Sequence, residues 1–210
     1  MHSRLSLLEQ VASLTDAVQG RIIVAVDGVD GSGKTTFADE LAPLVEQRGR
    51  QVIRASVDGF HNSRALRYVR GKDDPEGFFL DSYDYNCLRK FLLYPFRSGA
   101  AIVDIARFDH RLNQKVRVSR RISPSAVLLL DGIFLHRDEL REFWGFSVFL
   151  AVPFEVSYSR MAERDGSNPD PLAPGNRRYY EGQNIYLRSC KPEQRATVLI
   201  DNTMHIERLP

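Results

Sequence analysis

Three groups of residues in this 210-residue chain could do chemistry together. The first is Gly28-Val29-Asp30-Gly31-Ser32-Gly33-Lys34-Thr35, which meets the pattern G-x-x-x-x-G-K-[ST] at every fixed position. Glycines at that spacing let successive backbone N–H groups close around a phosphate chain; the lysine adds a point charge, and the threonine hydroxyl can ligate Mg²⁺. Gly28, Asp30, Gly31, Ser32, Gly33, Lys34, Thr35 and Thr36 are therefore the expected contacts of a nucleoside triphosphate. The second group is a pair of carboxylates, Asp58 and Asp131, each followed by glycine at the end of an apolar run. Asp131 ends the most hydrophobic run, where a carboxylate acts on Mg²⁺ directly or through water. Asp58 is the candidate to accept a proton from an acceptor hydroxyl and orient it. The third group is Arg160, Arg164, Arg177 and Arg178, which bracket the Pro/Gly/Asn-rich segment 165–175. Arg160 and Arg164 stand four apart, the spacing of one helical face. Cations beside a mobile segment suit a lid that closes over polyphosphate and excludes water.

The elements that must hold these groups are legible in the hydrophobic pattern. Residues 1–19 carry apolar positions at helical spacing, ended by Gly20. Residues 21–26 read as a buried strand, 34–49 as a helix, 51–57 as a second strand. The stretch 61–83 is polar and without clear period, the mark of a functional loop. A helix is expected over 84–94, short strands over 101–105 and 115–118 around a basic loop, and an apolar strand over 127–130. A helix near 137–143, a strand over 147–152, helices over 154–164 and 178–189, and a last strand over 196–200 complete the reading. Continuous apolar strands alternating with helices imply an α/β fold of three layers, a parallel sheet of about five strands with helices on both faces. In such sheets ligands bind at the carboxyl ends of the strands, where Asp27, Asp58, Asp131 and Asp201 lie.

Length allows one α/β domain over 1–210, with an N-terminal helix at 1–19, substrate-site insertions at 59–83 and 106–118, and a lid at 165–177. Net charge is +2, so bulk electrostatics offers no argument for nucleic acid or a membrane surface. Cys87 and Cys190 have no metal-ligand spacing and read as free thiols in a reducing compartment. No apolar run approaches 18 residues and no signal-peptide core opens the chain, so the expectation is a cytoplasmic protein. Its oligomeric state is left open, a homo-oligomer included. An Asn-Lys-x-Asp guanine reader is absent, which argues against a GTPase. An NTP-binding switch without a small-molecule acceptor is the reading from another class; it has no need of a carboxylate at Asp58.

Taken in order, these motifs resemble the uridine kinase, phosphoribulokinase and bacterial pantothenate kinase group of P-loop kinases, within the P-loop NTPase fold. The resemblance runs over roughly residues 20 to 202. It rests on Val26-Asp27-Gly28 leading into the glycine loop, Asp58-Gly59-Phe60-His61, Asp74-Pro75, Ser82-Tyr83-Asp84, Phe108-Asp109, Leu130-Asp131-Gly132-Ile133, and Arg160 with Arg164. It implies ATP- and Mg²⁺-dependent phosphorylation of a primary hydroxyl on a small metabolite, first of all a nucleoside, with pantothenate, another nucleoside or a sugar phosphate as competing acceptors. By the same resemblance Asp58 is the base and Lys34, Arg160 and Arg164 act on the phosphates. Asp84 holds substrate hydroxyls, and His61, Phe108, Asp109 and Arg160 join Asp58 in the acceptor pocket. Thr35 and Asp131 hold the metal. Two departures stand out: Phe108 lies where a Tyr is usual with His110 early in the motif, and Asp131 lies where Glu is frequent, a shorter side chain that favours a water-mediated Mg²⁺ contact.

Overall fold

The computed structural model describes residues 4–203. Along the chain the strands are β1 (Ile22–Gly28), β2 (Val52–Ser56), β3 (Ile102–Asp109), β4 (Gln114–Arg121), β5 (Val127–Gly132), β6 (Phe146–Ala151) and β7 (Val198–Asp201). The helices are α1 (Arg4–Asp16), α2 (Lys34–Glu46), α3 (Arg64–Arg67), α4 (Pro75–Asp81), α5 (Tyr85–Leu88), α6 (Tyr94–Arg97), α7 (Phe154–Asp165), α8 (Arg177–Cys190) and α9 (Pro192–Arg195). Strands β2-β5-β1-β6-β7 form one parallel sheet of five, as the apolar runs imply. Side-chain alternation sorts the two faces. Ile22, Val24 and Val26 of β1, with Val127 and Leu129 of β5, enter one core shared with α1 and α2. Ile23 and Ala25, with Leu128 and Leu130, enter the other core, shared with the α4–α6 region and α8. Burial on both faces is why these strands read as continuous apolar runs rather than alternating ones.

β3 and β4 form a separate antiparallel hairpin, longer than the short strands expected, with its turn at residues 110–113. Gly59 fits the turn after β2 against this hairpin: a Cβ there would lie 2.9 Å from the Ala106 Cβ. Two expectations need correction. The stretch 61–83 holds α3 and α4; Asp74 caps α4 by accepting from the Gly77 N–H, and Pro75 takes the first helical position. The helix expected near 137–143 is a run of turns, with the Leu140 and Arg141 N–H groups on the Arg137 carbonyl, that ends in a 3₁₀ turn at Arg141–Phe143. The helix expected over 84–94 runs on as α5, a π-helical stretch Arg89–Leu93 and α6. Residues 1–3 of the expected N-terminal helix lie outside the described residues. Among the described residues no helix is long and apolar enough to cross a membrane. Cys87 is half-buried and Cys190 buried; both are free thiols.

Candidate active site

The glycine loop leaves β1 at its carboxyl end and enters α2 at Lys34, with Gly33 as left-handed N-cap. Gly31 has φ +72°, and a Cβ there would collide with the Ser157 carbonyl of α7, so only glycine lets the loop pass under that helix. The Lys34 ammonium donates to the Val29 carbonyl at 2.7 Å, arching over the loop. Ser32 Oγ in the loop and the Tyr158 hydroxyl on the cleft wall are buried without a partner. Unmet donors of this kind beside backbone N–H groups fit a polyphosphate.

Thr35 Oγ1 donates to Asp131 Oδ2 at 2.9 Å, while Arg54 holds Asp131 Oδ1 at 3.0 Å. The register that sets β5 beside β1 and β2 brings Asp131 opposite Val26 and Ser56. Two hard oxygens about 2.9 Å apart match an edge of an octahedral Mg²⁺ shell with bonds of about 2.1 Å, so this pair fits the metal. No cluster of three His, Cys, Asp or Glu that could hold a metal exists among the described residues.

Asp58 sits in the 3₁₀ turn Val57–Phe60, capped by the Ser56 side chain, which accepts from the Asp58 N–H. Its carboxylate is reached by the Tyr83 hydroxyl at 3.0 Å and by His61 Nε2 at 3.4 Å. Desolvation in the cleft works against ionisation there. The hydrogen bond and charge of His61, with the Tyr83 hydroxyl, outweigh it and bring the Asp58 carboxyl down to about 2. His61 is held in turn: its other ring nitrogen donates to the Ser82 carbonyl at 2.9 Å, and its ring stacks on Tyr83 and meets His110 at 4.5 Å. Desolvation, then His61, lowers the His110 pKa. Asp30, also in the cleft, is raised by desolvation against the charge of Lys34.

A cleft of about 380 Å³ gathers Asp30, Gly31, Lys34, Thr35, Asp58, Asp131 and Arg164, walled by Tyr83, Tyr158 and Tyr179. A second cavity, also about 380 Å³, gathers His61, Asp84 and Phe108 with Phe60, Lys90, Phe91, Arg107 and Lys115. Two of the residues expected in the acceptor pocket are brought to neither. Arg160 turns away from Arg164 and donates to the Asn202 and Thr203 carbonyls beyond β7, at 2.8 and 3.0 Å. Asp109 caps the hairpin turn, accepting from the Arg111 and Leu112 N–H groups. Asp84 also spends one oxygen locally, on the Cys87 N–H at 2.8 Å. Arg178 is buried and ties the acceptor-side segment to α8 through the carbonyls of Arg67, Gly71 and Lys72.

The sequence reading missed the supports on α8. Gln183, 1% exposed, accepts from the Asp30 N–H of the glycine loop at 2.6 Å. One turn on, the Tyr186 hydroxyl donates to the fully buried Asp27. The same carboxylate accepts from the N–H groups of Gly28, Leu135 and His136 and from the His136 ring at 2.7 Å. Asp27 thus joins the root of the glycine loop, the segment after Asp131 and α8. Its position at a strand end was the only signal; partners from 108 to 159 residues away carry none.

A phosphate cradle, an adjoining Thr–Asp pair and the Asp58 carboxylate in the same cleft, all at the carboxyl ends of a five-strand parallel sheet, define a P-loop phosphotransferase. Comparison with known proteins agrees. The model of the phosphoribulokinase / uridine kinase family matches residues 23–168, and the chain belongs to that family. It is 28% identical over 160 residues to the uridine kinase of Yersinia enterocolitica, covering 72% of each chain. It is 28% identical over 167 residues to uridine kinase-like protein 4 of Arabidopsis thaliana, covering 76% of this chain and 34% of that longer one. A solved "possible uridine kinase" from Bacillus stearothermophilus superposes with a TM-score of 0.74 at 24% identity, covering 92% of this chain and 97% of its own.

Proposed function

We propose that this chain transfers the terminal phosphoryl group of ATP to a primary hydroxyl of a small metabolite of the nucleoside kind. The observation that carries the reading is the turn at Val57–Phe60: Asp58 lines the phosphate cleft while Phe60 and the adjoining His61 line the second cavity. One short backbone segment thereby sets an acceptor hydroxyl against a phosphate donor. The uridine kinases among its relatives support a nucleoside as that acceptor.

In this mechanism the glycine-loop N–H groups and Lys34 hold the donor phosphates, and Arg164 offsets charge from the α7 side. Thr35 and Asp131 would hold Mg²⁺, which when bound neutralises phosphate charge. Asp58 accepts the hydroxyl hydrogen bond and fixes the oxygen in line. A carboxyl at about 2 is a weak base. That suffices in a loose phosphoryl transfer, where the proton leaves late and positioning carries most of the rate. Tyr83 and His61 hold the carboxylate toward the cleft. The segment 166–176, between α7 and α8, acts as the lid, its base set by Arg178.

The test is ADP release from ATP and Mg²⁺ across nucleosides, pantothenate and sugar phosphates. The reading requires at least one alcohol to raise release well above the rate with water alone. A uniform water rate would support the NTP-binding switch instead.

A further inference from the structure

The second cavity has a property that a neutral nucleoside does not use. Its floor is aromatic, formed by Phe60, Phe91 and Phe108, and its rim carries Lys90, Arg107 and Lys115. Arg107 is fixed in place, stacked 4.3 Å over the Phe91 ring and paired with Asp104 at 2.9 Å. Lys90 and Lys115 have neither an ion pair nor a hydrogen bond among the described residues. They arrive from separate elements, the π-helical stretch Arg89–Leu93 and β4, so tertiary structure brings them to one cavity. The chain has only five lysines; one is in the glycine loop and two are here. A net charge of +2 gives no general excess of cations to explain the pair.

Asp84 brings one carboxylate to the same cavity, but neither lysine forms an ion pair with it or with any other carboxylate among the described residues. Asp104 is saturated by Arg107, Arg117 and Ser119. Asp84 gives one oxygen to the Cys87 N–H. Cations gathered around one small cavity repel each other, and an anion placed among them relieves that repulsion and gains charge-assisted hydrogen bonds.

We propose that the acceptor is itself an anion: an alcohol whose far end carries a phosphate or carboxylate, held by Lys90 and Lys115 while its hydroxyl meets Asp58. This rests on the reading that the second cavity holds the acceptor, and narrows it to nucleoside-like or sugar-like alcohols bearing an acid group. The aromatic floor takes the apolar or planar body between the two ends.

The test uses matched pairs with the full chain, ATP and Mg²⁺: uridine 3′-monophosphate against uridine for phosphate, and pantothenate against neutral panthenol for carboxylate. Both ADP release and calorimetric binding in the presence of a non-hydrolysable ATP analogue are read. At least one anionic member should exceed its neutral partner by about 10- to 100-fold in kcat/KM, the range for a charge-assisted contact or two. That preference should fall at least tenfold in the Lys90→Gln/Lys115→Gln double variant and persist in Lys191→Gln, a single charge loss outside the cavity. Neutral members used as well as anionic ones, or a preference indifferent to the double variant, would overturn the anion proposal and leave the kinase reading standing. Anion binding without ADP release, abolished by the double variant, would uphold the site and overturn phosphoryl transfer. No binding and no release by any pair would overturn both.

Discussion

Replacing Tyr186 with Phe removes one oxygen from the most buried polar network of the fold. That oxygen donates to Asp27 and accepts from the His136 N–H at 3.0 Å. Burial and then the Asp27 charge push the Tyr186 pKa well above the usual tyrosine range, so the hydroxyl remains a donor at any working pH. A hydrogen bond to a buried charge contributes about 1.5–3 kcal/mol. The His136 N–H retains Asp27 at 3.2 Å and adds little to the loss. The expected cost is about 2–3 kcal/mol, and at about 2–4 °C per kcal/mol for a chain of this size Tm should fall by roughly 4–12 °C. Because Asp27 also fixes the Gly28 N–H at 2.7 Å, the KM for ATP should rise as well, with kcat less affected. Thermal melts by circular dichroism and ADP-release kinetics check the two halves. A Tm within about 1 °C of the parent, with KM unchanged, would refute the view that α8 braces the glycine loop through Asp27.

The Asp58 carboxyl, held at about 2, should stay ionised through the assay range, so the rate lost between pH 8 and pH 5 should not trace to it. As a depressed carboxyl, it contributes stability that is present above the ordinary value near 4 and lost as pH falls from there toward 2; acid titration of Tm in parent and Asp58→Asn reads the difference. Asp131→Asn should weaken Mg²⁺ binding, seen as a several-fold higher concentration for half-maximal ADP release; an unchanged Mg²⁺ curve would separate Asp131 from the metal. Asp109→Ala should leave acceptor KM within about twofold, since its carboxylate caps the hairpin turn; a large KM effect would restore it to the acceptor site.

Much of the fold was legible because its signals are local. The glycine loop has fixed spacing, and β1 and β5 are apolar without interruption since both faces are buried. Asp58 and Asp131 were legible as strand-end carboxylates of an α/β sheet. What escaped depends on partners far off in the chain. Arg160 and Arg164 have the spacing of one helical face, yet Arg160 is captured by carbonyls beyond β7 while Arg164 lines the cleft. Nothing local distinguishes the two. Phe134, at φ +65°, turns the Leu135 and His136 N–H groups onto Asp27, and the residues near 137 that looked helical make turns onto the Arg137 carbonyl instead of a continuous helix. α4 did carry a local signal, Asp74-Pro75 as cap and first helical residue, but at seven residues it is too short to show a period. The lysines of the second cavity are invisible in one dimension, 25 residues apart on a helix and a strand.

The central claim is that Asp58 presents an acceptor hydroxyl to the phosphate held by the glycine loop. It is tested most directly by comparing Asp58→Asn with the parent in acceptor-stimulated ADP release, with ATP binding measured on the same samples. The account predicts an affinity for ATP within about twofold of the parent and turnover lower by at least about 100-fold, the scale for a positioned acid–base group. Turnover equal to the parent would contradict it.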